Sequence, residues 1–486
     1  MITPPEISWI AIGPDVALAV GAALVLLVDV QWKPASRVLG WVVGVTLVAA
    51  TALTVLQWLE GADATAAGET SSLLAFSGLI SMDGFAVFSR LTLIAATALG
   101  LTSGWRFVQG LGRRGAEALA LVLLATAGFS LMVASNNLVM MFLGLEVGSI
   151  ALYVLAGLAR ERRESEEAAI KYFLLGSFAS AVFVYGVALI YAGTRQFEIV
   201  EIGLYLDNFI VTRPAVIYIG IGLVIAGLGF KVSAAPFHAW APDVYQGAPA
   251  GLVGYLAAVA KVAGFAAIAR ILLTAFPELD ATWLPVVAGI SVLSMLVGSV
   301  LALVQSDVRR LLAYSGVAHA GFIMTGVVGG STEGILFYLA IYSIQLVGAF
   351  AVVAVVSGPD GAGSNLDQYR GLGRRSPLLA AAFTVLLLGM GGLPLTSGFV
   401  AKFGVFTEAW SRGFEWLVIV AVLASVVAFA FYIRVIVVMY MDDAGDTESL
   451  RVGPERWVLA MAVGTTIFWG IFPSSLLDLA ADALPL

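Results

Sequence analysis

The chain has 486 residues, of which 60% are hydrophobic and only 12% charged, with a net charge of −7. A soluble domain carries about 25% charged residues, so a water-soluble globule is excluded. With no cysteine and two histidines, disulfides, thiolate metal sites, cysteine-ligated iron–sulfur clusters and histidine-rich metal or haem sites are excluded as well.

Apolar runs of roughly the 20 residues that a helix needs to cross a bilayer recur from end to end. The first, 10–30, lacks a small-residue cleavage site and reads as a retained span rather than a signal peptide. Spans at 38–58 and 79–103 complete an N-terminal three-helix part, 1–116. Five more, at 117–134, 138–159, 169–192, 214–240 and 250–274, make a first unit, 117–274. A second unit, 275–441, holds spans at 285–305, 310–329, 334–356, 377–409 and 415–441, and a last helix at 456–474 lies within 442–486. The expected fold is an all-α polytopic membrane protein of about fourteen transmembrane helices. The longest loops, near 59–78, 193–213 and 357–376, are too short to hold a catalytic core. There is no strand pattern and no glycine-rich phosphate loop, so NADH, flavin or ATP chemistry has no place in the chain. Nothing in it points to nucleic acid.

Orientation follows from the basic loops. One set carries Arg106, Arg113, Arg114, Arg160, Arg162, Arg163, Arg309, Arg310, Arg374 and Arg375. The alternate set carries Arg195, Arg213 and Arg412 among acids such as Asp63, Glu69, Glu198 and Glu201. The first set is expected on the cytoplasmic side and both termini on the other.

Charges inside spans are costly and mark function. Glu146 lies near the middle of the fifth span, in NNLVMMFLGLEVGSIALYVLAG, either as a hydrogen-bonded structural carboxylate or as an ion-pair partner for a buried lysine. Lys231, in GLVIAGLGFKVSAAPFHAW, sits where glycines and Pro236 predict a break in the seventh helix. Snorkelling from a helix end is its bland alternative. Lys261 is near mid-span in YLAAVAKVAGFAAI, and Lys402 follows a second Gly/Pro break at Pro394. His319 is either a satisfied core histidine or a relay, its ordinary titration lying near neutrality. His238 lies nearer the arginine-rich end, where a proton could enter. Arg90 and Arg434 lie in or near spans. Spacing hints at a repeat. Glu146 to Lys231 is 85 residues and His319 to Lys402 is 83, while Lys231 to Lys402 is 171 and Lys261 to Arg434 is 173. Five-helix repeats with broken helices near mid-membrane are typical of transporters.

The segments MDGFAVF (82–88), EEAAIKYFLLGSFASA (166–181), FKVSAAPFHAWAPDVYQGAP (230–249), VRRLLAYSGVAHAGF (308–322) and GGLPLTSGFVAKF (391–403) resemble, in order and over nearly the whole chain, those of the antiporter-like subunits of proton-pumping NADH:quinone oxidoreductase, respiratory complex I. Among these, the L type carries a lateral helix and extra spans, and the M type typically has glutamate on the broken twelfth helix. Lys402 fits the N type. The resemblance implies two inverted five-helix repeats, about helices 4–8 and 9–13, with helices 7 and 12 broken. It implies proton translocation through Glu146, Lys231, Lys261, His319 and Lys402, with His238 as a possible uptake point. No cofactor is expected in this chain; FMN, iron–sulfur clusters and quinone belong to partner subunits. Expected partners are the lipid bilayer, a neighbouring M-type subunit, the small membrane subunits J, K, A and H, and the lateral helix of subunit L. The expected location is the inner membrane of a bacterium. The alternatives are a subunit of a multi-subunit cation/proton antiporter and a scaffold that does not pump.

Overall fold

The structure is a computed structural model, which describes residues 8–67, 73–159, 161–209, 214–358, 363–443, 450–483 and 485, the side chains of 63–67 aside. Arg160, Glu69 and Arg213, used above for orientation, lie outside the described residues, as does the side chain of Asp63.

Long helices dominate. The N-terminal part is α1 (Trp9–Trp32), α2 (Ser36–Ala67) and α3 (Gly84–Gly110). Next come α4 (Arg114–Ala134), α5 (Leu138–Ala156), α6 (Arg163–Thr194), the short α7 (Ile199–Asn208), α8 (Pro214–Lys231), α9 (Trp240–Gly247) and α10 (Ala250–Arg270). Then follow α11 (Asp280–Leu303), α12 (Val308–Gly329), α13 (Thr332–Ser357), the single turn α14 (Leu372–Arg375), α15 (Pro377–Gly391), α16 (Ser397–Ser411) and α17 (Glu415–Met441). The chain closes with α18 (Glu455–Ile471) and α19 (Ser474–Ala481). The absence of strands expected from the sequence is corrected by one small antiparallel pair, β1 (Leu74–Ala75) with β2 (Ile80–Ser81), just ahead of α3. A strand of two residues is too short to display an alternating pattern.

Among the described residues, 12 helices are long and apolar enough to cross a membrane, or 13 if the bent pair α18–α19 counts as one span. The expectation of about fourteen differs at the twelfth span. There 377–409 divides into α15 and α16, neither of which meets the length alone.

α10, α12 and α13 are enclosed on nearly all sides. Small residues make this possible, because without a strong apolar drive inside lipid, helices associate by close packing. Gly128 of α4 and Gly144 and Gly148 of α5 let two backbones meet, and an added Cβ at Gly128 would lie 2.8 Å from the Gly144 carbonyl. Helix starts are fixed by side chains that accept from otherwise unpaired N–H groups. Asp83 caps α3, Asn137 caps α5, Asp307 caps α12 and Ser331 caps α13.

Two interruptions position the site. Between α8 and α9 the chain unwinds over 232–239, with Ser233 at φ 61°. Between α15 and α16 it unwinds over 392–396, with Gly392 at φ 87° and Leu395 at φ 70°. Left-handed backbone at a residue with a side chain costs energy and survives where surroundings hold it. Each break leaves carbonyls without the helical N–H that would otherwise bind them.

Candidate functional site

Lys231 ends α8 and is 3% exposed. Its ammonium donates to Ser149 Oγ at 2.8 Å and lies 4.9 Å from the centre of the Phe129 ring, with Tyr153 and Tyr172 at 5.7 and 5.6 Å. These rings offer a desolvated cation their negative faces. The direct Glu146–Lys231 ion pair that the sequence suggested is not formed. Glu146, partly buried, accepts instead from the Ser180 hydroxyl. Ser149 lies three residues further along α5, so both project from one face of that helix. Lys231 takes the serine, and Glu146 acts on it as a nearby charge.

Lys261, in mid-α10, donates to the Val232 carbonyl at 2.8 Å and to the Gly316 carbonyl at 3.1 Å. The first is a carbonyl of the α8–α9 break, so the helix next to Lys231 supplies the acceptor for the second lysine. Gly316 leads along α12 to His319, which is 4% exposed. The His319 ring stacks on Tyr342 at 4.3 Å, its Nδ1 is 2.9 Å from the Tyr338 hydroxyl and its Nε2 is 3.3 Å from the Tyr432 hydroxyl. Tyr432 bonds in turn to Ser315. The Tyr342 hydroxyl is buried without a hydrogen bond among the described residues, beside Gly316 and Lys261. Lys402 follows on α16, donating to the Gly391 carbonyl at 3.0 Å and to Ser425 at 3.4 Å, with the Phe322 ring 4.5 Å away. Gly391 ends α15, so a second helix break supplies a lysine's acceptor.

Lys231, Lys261, His319 and Lys402 thus form one buried file through the protein, with Glu146 at its first end. Two residues fall outside it. His238 is half-buried between α8 and α9, its ring 6.2 Å from Tyr314, and no hydrogen bond joins it to the lysines. Arg434, paired by spacing with Lys261, is exposed and donates to the Leu303 carbonyl at 2.6 Å, closing the end of α11. Position along the chain matched; the facing of the helix did not.

Ser149, Ser180, Tyr338, Tyr342 and Tyr432 were not identified from the sequence. Tyr338 and Tyr342 are four apart on α13 and therefore share a face, the one periodic signal available for them.

Other charges pair with one another outside the file. Arg90 of α3, fully buried, pairs with Asp15 at 2.6 Å and donates to Gln57 at 2.8 Å, tying α1, α2 and α3. Arg270, at the end of α10, grips Asp83 with two bonds of 2.7 Å. Towards the arginine-rich face, Asp243 receives Lys171 and Arg310, each at 2.7 Å. Burial would raise the Asp243 carboxyl, but the hydrogen bonds from Lys171 and Arg310 hold it below its ordinary value. Among the described residues, no three His, Asp or Glu side chains converge as a metal ion would require.

A family model for the transmembrane region of the NADH:quinone oxidoreductase/Mrp antiporter proteins matches residues 135–428. The chain is 40% identical over 479 residues to NADH-quinone oxidoreductase subunit N 1 of Solibacter usitatus, covering 97% of this chain and 96% of that one. Its fold superposes on a chain of respiratory complex I from Thermus thermophilus with bound aureothin, at a TM-score of 0.81 and 31% identity over 97% of this chain and all of that chain. A chain of the Mrp complex from Dietzia shares the fold at a TM-score of 0.79, with 19% identity over 97% of this chain and 96% of that chain.

Proposed function

The chain belongs to the NADH:quinone oxidoreductase/Mrp antiporter family, within its subunit N group, and from that membership we propose that it carries protons across the membrane along the Glu146–Lys231–Lys261–His319–Lys402 file. It is a multi-pass membrane subunit of a respiratory NADH-quinone oxidoreductase and packs with other membrane subunits of that complex. The identity near 40% with subunit N relatives favours this reading over a cation/proton antiporter, with which the likeness is one of fold. FMN, iron–sulfur clusters and quinone would then sit in partner subunits, which supply the driving signal. Subunit M, the small subunits J, K, A and H and the lateral helix of subunit L are the proposed neighbours.

The observation that carries the reading is that the acceptors of Lys261 and Lys402 are carbonyls at the two helix breaks. A proton held on an amine next to unwound backbone can be retained or released as that backbone moves, and irregular backbone at membrane depth is tolerated where it lines such a path. Glu146 supplies the control. A carboxylate one turn from the Lys231 partner, on the order of 6 Å away, interacts by about 2–3 kcal/mol at an effective dielectric of 20. Moving a charge across 100 mV takes about 2.3 kcal/mol. Drawing Glu146 and Lys231 apart therefore acts on the scale of the membrane potential.

The test is proton uptake into inverted vesicles per NADH oxidised. Lys402→Met keeps a long apolar stem beside Phe322 but removes the amine. It should lower the uptake severalfold in fully assembled complex, and unchanged stoichiometry would leave the scaffold reading in its place.

We also propose fourteen spans, with α15–α16 crossing together, and two inverted repeats. The backbone bridge from Asn137, ahead of α5, to Glu198 has a counterpart about 170 positions later, from Asp307, ahead of α12, to Asn365. Bacterial inner-membrane location, both termini on the outer side and the division at 116, 274 and 441 belong to the same proposal. Single cysteines are clean probes in a chain that has none. Position 162 should label from the cytoplasmic side and position 201 from the other; labelling of both from one side would reject the orientation.

A further inference from the structure

A second candidate site lies apart from the lysine file. At the arginine-rich end, the last turns of α3, the start of α4, the α5–α6 turn and the start of α10 surround a cavity of about 320 Å³. Ser103 faces it with a hydroxyl that is buried, the residue being 4% exposed, and that has no hydrogen-bond partner among the described residues. Buried hydroxyls are normally paired. Arg114, half-buried in the same wall, makes no ion pair or side-chain hydrogen bond with any described residue. It opens α4, where a cation opposes the helix dipole, so helix stability does not account for it. α10 begins at the cavity with Ala250 and Gly251, behind Pro249, and no side chain among the described residues caps it. A 21-residue helix presenting uncapped N–H groups draws negative charge. Arg106 and Arg162 also line the cavity, both already engaged, Arg106 with the Arg451 carbonyl at 3.0 Å and Arg162 with Glu164 at 3.9 Å. Two carboxylates also line it. Glu455 is turned to Arg106 at 3.6 Å and to the Gly453 N–H at 2.8 Å, and Glu161 is exposed. The rest of the wall includes Phe107, Leu111 and Leu158, so an apolar flank adjoins the cationic end.

We propose that this cavity binds a phosphate-bearing anion, held between the Arg114 guanidinium, the Ser103 hydroxyl and the start of α10. The planar fork of Arg114 suits phosphate oxygens. Basic pockets between helices at the cytoplasmic surface take anionic phospholipid headgroups, and the apolar flank suits the glycerol and upper chain of such a lipid. Inorganic phosphate offers the same contacts without the flank.

The experiment uses the whole complex in nanodiscs of phosphatidylcholine. One arm adds phosphatidylglycerol; another adds sodium phosphate at constant ionic strength. Binding is read by native mass spectrometry for wild type, Arg114→Gln, Ser103→Ala and Lys402→Met. Loss of a charge-assisted hydrogen bond should weaken phosphatidylglycerol binding about tenfold in Arg114→Gln. A smaller loss is expected in Ser103→Ala, which keeps the charge. Lys402→Met should bind as wild type does, whatever becomes of its pumping, which separates this site from the proton file. Saturation by phosphate alone, with the same dependence on Arg114, would assign the site to the free ion and sustain the phosphate chemistry. Equal binding in wild type and both cavity variants, or none in either arm, would overturn the proposal.

Discussion

Replacing Lys231 with alanine is expected to bring proton uptake into inverted vesicles close to background while the complex still assembles. Among the described residues the side chain donates one hydrogen bond, to Ser149, and otherwise faces three aromatic rings, so its removal empties a small space. Glu146 keeps its own partner, Ser180. Lys231→Arg should also impair transport, because a guanidinium keeps its proton. If Glu146 acts through its charge, Glu146→Gln and Glu146→Ala should damage pumping alike. Glu146→Gln combined with Lys231→Met should then be no worse than Lys231→Met alone, since one function is lost once. Ser149→Ala separates positioning from charge: it removes the acceptor of the Lys231 hydrogen bond and should slow transport less than loss of the amine. Wild-type stoichiometry in Lys231→Ala would show that the lysine is structural.

Asp83→Ala should produce the largest loss of stability. The Asp83 and Arg270 side chains are both 2% exposed, and the carboxylate also caps α3 by accepting from Ala86. Removing one partner of a buried pair strands the other charge, at about 3–5 kcal/mol, and the lost cap adds about 1 kcal/mol. The measurements are the yield of assembled complex and its rate of thermal inactivation. Asp83→Leu with Arg270→Met should recover much of the loss, because apolar replacement of a whole buried pair is often neutral. The pH dependence has a definite sign. Burial alone would raise the Asp83 carboxyl, but the Arg270 charge and its hydrogen bonds lower it below the ordinary 3.8. The pair therefore stabilises fully above the unfolded value, and its contribution is lost as pH falls through the lower folded value. An Asp83→Ala complex as heat-stable as wild type near neutral pH would refute this account.

Span positions, the two helix breaks and the four charged positions at Glu146, Lys231, Lys261 and Lys402 were legible in the residues alone. A run of apolar side chains can satisfy its backbone in lipid only as a helix. A proline close to glycines, as at Pro236 and Pro394, weakens the helical hydrogen bonding of such a run, and a lysine there is conspicuous whatever it touches. These are properties of a segment and its solvent. Partners were decided elsewhere. Lys231 meets Ser149 rather than Glu146, Lys261 meets a carbonyl released by the break in a neighbouring helix, and Arg434 turns to the end of α11 instead of standing in for Lys261. The serines and tyrosines that join the file, and the cavity around Ser103 and Arg114, come from helices far apart in the chain. Which faces meet depends on helix rotation and on how closely Gly and Ala rows allow backbones to approach, and only the packed bundle sets those two quantities.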